Sequence, residues 1–158
     1  MYYKLHLKIA YQNAKERTTM YKATRRIYEE LKKDSGLKVF TDEAGDSNYV
    51  WLQFGIKNGG SYRIRFISKD NDNDVAVRIF GLVTIDETHQ AKVLPVINKL
   101  NSKYRFAKFV LDKDGDVNLE YDYLVRCPDP AASAKEIVIR MVQIVDEAYP
   151  ELMRAMWA

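Results

Sequence analysis

The sequence predicts an α+β domain in which an antiparallel sheet of about five strands has helices packed against it. Two observations favour this class. Segments in the middle of the chain alternate apolar and polar residues, whereas the segments around them repeat apolar residues every three or four positions. The chain has 158 residues, of which 47% are hydrophobic and 30% charged, which is sufficient for one core and ordinary for one domain. We therefore expect residues 1–158 to form a single domain.

The N-terminal part of the chain predicts a strand followed by a helix. Apolar side chains at alternate positions between Tyr3 and Tyr11 indicate that residues 1–12 form an additional strand or an extension of the domain. The next stretch, from about Ala14 to Asp34, predicts a helix that ends near Gly36. Its apolar residues recur at spacings of three and four and therefore share one face: Met20, Ala23, Ile27 and Leu31.

Three strands are predicted next, because the apolar period changes to two. They cover about Val50–Ile56, Tyr62–Phe66 and Val75–Ile85. The Asn-Gly-Gly run at 58–60 separates the first two, and these residue types tolerate the backbone angles of a hairpin turn. A polar run from Lys69 to Asp74 separates the second strand from the third, so an antiparallel meander is the simplest arrangement.

A second helix is predicted over about Thr88–Ser102. Pro95 lies inside this segment, and an interior proline removes a hydrogen bond at a cost of about 3 kcal/mol. The pattern therefore leaves two alternatives, a helix that kinks at Pro95 or a helix whose regular part begins near it. The stripe expected to be buried consists of Ala91, Leu94, Ile97 and Asn101.

Two more strands and a C-terminal helix complete the predicted order, which is α-β-β-β-α-β-β-α. The strands cover roughly Tyr104–Leu111 and Val117–Val125 and are joined by an acidic turn. Ser133 and Glu136 have the spacing of a capping box, which predicts the start of the helix. Pro150 predicts an interruption, after which the chain continues as a final turn or as a kinked extension of the helix. The apolar face of this helix comprises Ile137, Met141, Ile144, Val145 and Ala148.

Charge and cysteine content limit the classes of partner. The net charge of +3 and the pI near 8.8 are mildly basic, which permits an anionic partner without requiring one. Cys127 is the only cysteine, so an intrachain disulfide is excluded and a cysteine-based metal site has no support. The first residues contain no signal-peptide core, and no uncharged apolar run reaches membrane-spanning length. We therefore expect a cytoplasmic protein without a membrane partner.

No pattern of residues predicts catalysis. His6 and His89 have no histidine or cysteine nearby to complete a metal set, and there is neither a nucleophile motif nor a Gly-rich phosphate loop. The acidic segment Asp112–Asp116 has its glycine at position four, whereas a calcium-binding EF-hand loop requires it at position six. A hairpin turn explains this segment better, because Asp and Gly supply the backbone geometry of turns. We expect a non-enzymatic protein with no metal and no cofactor.

Two groups of residues are candidates for contact with a partner. Arg63 and Arg65 are predicted on the outer face of their strand, beside Tyr49 and Trp51 on the neighbouring strand. A ligand, a packed helix or a partner subunit would each explain such a surface. The second helix should expose apolar residues once its other stripe is buried, and this predicts a homodimer contact. These residues are Val93, Val96 and Leu100.

The first helix carries several basic residues, which leaves nucleic acid as the alternative to a protein partner. Most of these cations lie four residues from a glutamate, as Arg26 does from Glu30. This spacing is typical of paired charges on a solvated helix face. A nucleic-acid partner that uses this helix and the Arg63/Arg65 face is therefore the less favoured interpretation.

The C-terminal half of the chain resembles a known family. The run LNSKYRFAKF at 100–109 is followed by DGD at 114–116, LEYD at 119–122 and VDEAYPEL at 145–152. This order is similar to that of the YbjN-like family of bacterial proteins, which are described as sensory transduction regulators. The resemblance is best from about Ile97 onwards, and upstream it rests on the order of the elements.

Members of the YbjN-like family resemble the class I chaperones of type III secretion in fold. The resemblance therefore implies a compact α+β domain, often dimeric, that presents a sheet or groove to a protein partner, and it implies no catalytic residues. The function expected is a non-enzymatic, protein-binding or chaperone-like regulatory module that acts as a homodimer.

Overall fold

The computed structural model of the protein describes residues 20–44, 47–68, 74–124 and 129–157. Some expectations lie outside the described residues: the strand or extension at 1–12, the start of the first helix near Ala14, and the surroundings of His6 and Cys127. The polar run after the second predicted strand also lies outside them, apart from Asp74.

The described residues form helices and strands in the order α-β-β-β-β-α-β-β-α. The helices are α1 (Lys22–Leu31), α2 (Glu87–Lys103) and α3 (Pro130–Trp157). The strands are β1 (Val39–Ala44), β2 (Ser47–Gly55), β3 (Ser61–Ser68), β4 (Asp74–Thr84), β5 (Lys108–Leu111) and β6 (Asp116–Leu124). The predicted α+β class is confirmed, with one strand more than the approximately five expected.

The sheet is antiparallel throughout and has the strand order β1-β2-β3-β4-β6-β5. The strand that the sequence did not predict is β1. Its sequence, VFTDEA, contains two acidic residues and alternates weakly, which is typical of an edge strand that has one neighbour only. Its position at the edge next to β2 matters for the site described below.

The helices pack against one face of the sheet, and the strands direct their buried side chains towards them. Ile64 and Phe66 of β3 and Val77 of β4 are fully buried on this face. The predicted buried stripe of α1 is confirmed for Ala23, Ile27 and Leu31, which are at most 1% exposed. The opposite face, which we call the outer face, is not covered by any helix among the described residues.

Helix α3 differs from its prediction at both ends. It begins at Pro130, and Asp129 caps it by accepting hydrogen bonds from the backbone N–H groups of Ala131 and Ala132. The capping box predicted at Ser133 was therefore wrong, because an Asp-Pro pair supplies the cap one turn earlier. The helix also continues through Pro150 without the interruption that was predicted there. Burial of Leu152 beyond the proline offsets the lost backbone hydrogen bond.

Helix α2 is rotated relative to the expected orientation. It begins at Glu87, so its regular part does not start at Pro95. Val93 and Leu100 are fully buried, whereas Leu94 is 48% exposed. The expectation that α2 exposes Val93 and Leu100 was wrong. The helix carries two apolar stripes, one with Leu94 and one with Val93, and both have helical spacing, so the sequence alone does not decide which stripe is buried. Packing against β5 and α3 selects the stripe that contains Val93, Ile97 and Leu100.

Backbone groups on the outer edge of strand β5 are hydrogen-bonded to a side chain of α2. The amide of Asn101 donates a hydrogen bond to the carbonyl oxygen of Phe109 and accepts one from its N–H, at 3.0 and 2.7 Å. The ammonium group of Lys108 donates hydrogen bonds to the carbonyl oxygens of Asn101 and Tyr104 at the end of α2. Both contacts fasten the α2–β5 connection to the sheet.

Candidate interaction surface on the outer sheet face

One row of side chains crosses the whole outer face. The strand register pairs Phe40 with Trp51, Trp51 with Arg65, Arg65 with Arg78, Arg78 with Glu120, and Glu120 with Lys108. Directly paired residues on one face of an antiparallel sheet have their side chains in contact range. The row therefore runs from an aromatic pair at β1 and β2, through Arg65, to the ion pair between Arg78 on β4 and Glu120 on β6.

The aromatic end of this row is built from stacked rings and guanidinium groups. The rings of Phe40 and Trp51 are stacked, with centroids 4.3 Å apart and an interplanar angle of 20°. The guanidinium carbon of Arg63 lies 4.4 Å from the Trp51 ring centroid, and that of Arg65 lies 5.2 Å from the ring of Phe80. These distances are those of cation–π contacts. We call this surface the aromatic–arginine patch, and it comprises Phe40, Tyr49, Trp51, Arg63, Arg65 and Phe80.

Exposure and charge distinguish the patch from the rest of the face. Phe40 and Phe80 are 43% and 44% exposed, which is high for large apolar side chains. Among the described residues, no carboxylate pairs with Arg63 or Arg65. Arg78, in contrast, forms ion pairs with Glu120 and Asp122, at 3.5 and 2.6 Å. The positive charge on the outer face is therefore concentrated at β3, next to exposed aromatic rings.

Tyr49 forms the polar border of the patch on the side of β1 and β2. It is paired across the strands with Asp42. Burial raises the pKa of the Tyr49 hydroxyl, and a hydrogen bond to the carboxylate of Asp42 raises it further. Tyr49 is thus a neutral hydrogen-bond donor at ordinary pH, and its hydroxyl is held by Asp42.

The structure brings together the four outer-face residues that the sequence singled out: Tyr49, Trp51, Arg63 and Arg65. It also adds Phe40 and Phe80, which sequence reasoning missed. Phe80 could have been found, because alternation along β4 places it on the same face as Arg78. Phe40 could not, since β1 was not predicted. The other candidate group does not join this surface: Val93 and Leu100 are buried on the inner side of α2, and Val96 is half-buried.

The acidic turn between β5 and β6 is a hairpin whose polar groups hydrogen-bond to one another. One carboxylate oxygen of Asp112 accepts hydrogen bonds from the N–H groups of Asp114 and Asp116, and the other accepts one from the Asn118 amide. These bonds, above all that from the Asn118 amide, lower the pKa of Asp112. Gly115 has a φ of 86°, and a Cβ there would collide with the carbonyl oxygen of Ile85. The described residues contain no cluster of three or more potential metal ligands.

One Thr-His-Asp cluster has the composition of a hydrolytic triad but a different geometry. The Nδ1 atom of His89 lies 2.8 Å from a carboxylate oxygen of Asp86 and 3.1 Å from the hydroxyl of Thr88. In a triad the nucleophile contacts the ring nitrogen opposite the carboxylate. Here both contacts are at Nδ1, so the ring cannot relay a proton between them. The cluster is the N-cap of α2, where Asp86 accepts a hydrogen bond from the N–H of His89.

A comparison with protein families gives a match over most of the chain. The family model described as "YbjN: Putative bacterial sensory transduction regulator" matches residues 29–153. This range includes all six described strands, α2 and most of α3. No curated protein matches the chain. In the part of the chain that the structure describes, no helix is long and apolar enough to cross a membrane.

Proposed function

Because the chain belongs to the YbjN family, which is described as one of bacterial regulators, we propose that it is a non-enzymatic regulatory module that binds another protein as a homodimer. The observation that carries the proposal is the aromatic–arginine patch. The partner segment that fits it has acidic side chains for Arg63 and Arg65, and apolar side chains for Phe40 and Phe80.

The chemistry of the patch is that of protein-binding surfaces. Aromatic residues and arginine are enriched in the cores of protein interfaces, where they account for most of the energetically important contacts. Arg63 and Arg65 lie over aromatic rings, which limits the conformational entropy that these side chains lose when a partner binds. An acidic partner would provide the carboxylates that both guanidinium groups lack among the described residues.

A nucleic-acid partner fits the same surface less well. Proteins that bind single strands present open aromatic faces on which bases stack. The Trp51 ring is covered by Phe40 from β1 and by Arg63 from β3, the two strands that flank β2. The outer face also carries Glu120 and Asp122, which repel phosphates. We therefore favour a protein partner.

The homodimer is proposed to form through the exposed side of α2. The rotation of this helix leaves Ala91, Leu94 and Pro95 on its solvent side, and Leu94 is the most exposed large apolar residue of the helix. An apolar stripe on one helix is self-complementary when two copies meet about a two-fold axis. In this arrangement the aromatic–arginine patch of each copy stays accessible.

The partner proposal is tested by affinity capture followed by quantitative mass spectrometry, with and without nuclease. The patch variant carries Arg63→Glu and Phe80→Ser, two exposed positions whose replacement leaves the core intact, and the control variant carries Lys113→Glu in the exposed β5–β6 turn. We expect proteins that wild type and control capture, but the patch variant does not, to have acidic surfaces. Equal capture by the patch variant, or capture that nuclease abolishes, would contradict the proposal.

The dimer proposal is tested by light scattering at micromolar concentration. We expect twice the monomer mass of 18.4 kDa for wild type and the monomer mass for Leu94→Glu. Ile139→Glu is the control, since Ile139 is similarly exposed, at 46%, on α3. A wild-type protein of monomer mass refutes the dimer, and a dimeric Leu94→Glu variant refutes the α2 contact.

A further inference from the structure

A groove lies on the helix side of the sheet, away from the aromatic–arginine patch. It is bounded by α3, by β6 and by the connection between α2 and β5, and its volume is about 620 Å³. The groove exists because α3 packs mainly against α1 and α2 and makes few contacts with β6. Its volume falls within the range of about 300–1,000 Å³ that is typical of small-molecule sites. We call it the inner groove.

The two long walls of the inner groove are apolar. One wall is a series of three aromatic rings, in which Phe106 meets Tyr121 edge-on at 6.2 Å and Tyr121 stacks on Tyr123 at 6.1 Å. The facing wall consists of aliphatic and thioether side chains of α3: Ile137, Met141 and Ile144. Phe106 is 58% exposed, so the aromatic wall is open to a guest.

The charged residues of the groove leave one cation without a carboxylate. Glu136 is paired with Arg140 at 2.7 Å. Glu147 is paired with Lys103 at 3.1 Å and also accepts a hydrogen bond from the hydroxyl of Tyr104. Both acidic groups of the lining are therefore neutralised from within the groove.

The remaining cation is Arg105, at the mouth of the groove. Its guanidinium carbon lies 5.5 Å from the centroid of the Phe106 ring, and no carboxylate among the described residues pairs with it. The groove thus combines aromatic and aliphatic walls with one available guanidinium group. A guanidinium group matches the geometry of a carboxylate, to which it donates two parallel hydrogen bonds.

We propose that the inner groove is a binding site for a small organic carboxylate with an apolar body. The apolar body lies between the aromatic wall and the Ile137–Met141–Ile144 wall, and the carboxylate accepts hydrogen bonds from Arg105. The hydroxyl of Tyr121 is a second donor within the lining. This site is independent of the partner surface, because it lies on the opposite face of the sheet.

Binding of defined probes to the purified full chain tests the ligand class. Decanoate represents an alkyl carboxylate, 1-naphthylacetate an aryl carboxylate, and decylamine carries a cation on the same alkyl chain as decanoate. We expect saturable heat in calorimetry and a concentration-dependent rise of the melting temperature with at least one carboxylate. The carboxylate with the lower Kd indicates whether the groove prefers an alkyl chain or an aromatic ring as the apolar body of its ligand. Decylamine should bind at least tenfold more weakly than decanoate.

Two exposed positions test the location of the site. Phe106→Ala and Arg105→Ala should each raise the Kd of the better carboxylate about tenfold, whereas Arg105→Ala should not raise the Kd of decylamine. The matched controls are Trp157→Ala and Arg154→Ala, at two exposed positions near the end of α3 and outside the groove lining. All four variants should melt like wild type without ligand, since each position is exposed.

Four outcomes would overturn the proposal. In the first, neither carboxylate binds at millimolar concentration. In the second, decylamine binds as tightly as decanoate. In the third, both groove variants bind the carboxylates like wild type. In the fourth, an acidic peptide displaces the carboxylates and binds more tightly than they do, which would assign the groove to a protein segment.

Discussion

Leu152→Ala tests whether α3 is docked on the core beyond its internal proline. Leu152 lies two residues after Pro150 and is fully buried. The sequence left a final turn and a kinked extension as alternatives for this segment, so the residue decides between a continuous, packed helix and a loose final turn. The change removes three carbon atoms from a site that the surrounding side chains can only partly refill.

The expected magnitude follows from the burial of this side chain. Transfer of the removed carbons contributes about 2 kcal/mol at about 0.8 kcal/mol per methylene group. The residual cavity raises the total cost of a buried Leu→Ala change to about 2–5 kcal/mol. With a urea dependence of about 1–3 kcal/mol per molar, the unfolding midpoint should fall by on the order of 1–2 M.

Urea unfolding followed by circular dichroism provides the measurement. The control is Trp157→Ala, because Trp157 is in the same final turns of α3 but is 81% exposed. A change at such a position should alter the free energy of unfolding by less than about 0.5 kcal/mol. If Leu152→Ala unfolds at the same urea concentration as Trp157→Ala, the end of α3 is not docked and the packing described above is wrong.

Four further changes have definite expected outcomes. Pro150→Ala should stabilise the protein by about 1–2 kcal/mol in urea unfolding. Alanine restores the backbone hydrogen-bond donor, and this gain exceeds the cost of the larger entropy of the unfolded chain. A destabilised variant would show that packing of the proline ring contributes more to stability than the lost hydrogen bond costs. Gly115→Ala should destabilise the protein by at least about 1 kcal/mol, because a φ of 86° disfavours a side chain and a Cβ would collide with the carbonyl oxygen of Ile85. The control Gly60→Ala should not destabilise it, because a Cβ at Gly60 meets open space. Hydrogen bonds from Thr88 and then His89 lower the pKa of Asp86 from 3.8 to about 2, so its contribution to stability is present above pH 4 and is lost as the pH falls towards 2. The melting temperatures of wild type and Asp86→Ala should therefore differ at pH 6 and converge near pH 2, and a constant difference would contradict this. Calcium should leave the melting temperature unchanged, because both carboxylate oxygens of Asp112 already accept hydrogen bonds, and a rise abolished by Asp112→Ala would refute this.

Local periodicity was sufficient to predict most elements but not how they are oriented. The stripe of Ala23, Ile27 and Leu31 is unambiguous, because no second apolar stripe competes with it on α1. On α2, Leu94 and Val93 belong to two overlapping stripes, and only packing against neighbouring elements decides which is buried. Leu152 shows the same dependence on tertiary structure, since its burial keeps α3 helical through Pro150.

The candidate surfaces were predictable to different degrees for a similar reason. Alternation placed Trp51 and Arg65 on one face because both lie on strands with a clear period of two. Phe40 required knowledge of β1, a polar edge strand whose pairing with β2 is a tertiary property. The inner groove could not be found from the sequence, because Phe106, Tyr121 and Met141 come from three separate elements and meet only after packing.

The amide of Asn101 has a consequence for how copies of this sheet can add to one another. A strand that joined β5 from outside would need the N–H and C=O of Phe109, and both are already bonded to Asn101. Among the described strands, β1 forms the other edge of the sheet. Asn101 therefore removes the backbone groups of Phe109 from the places where a strand of another copy could extend the six-stranded sheet.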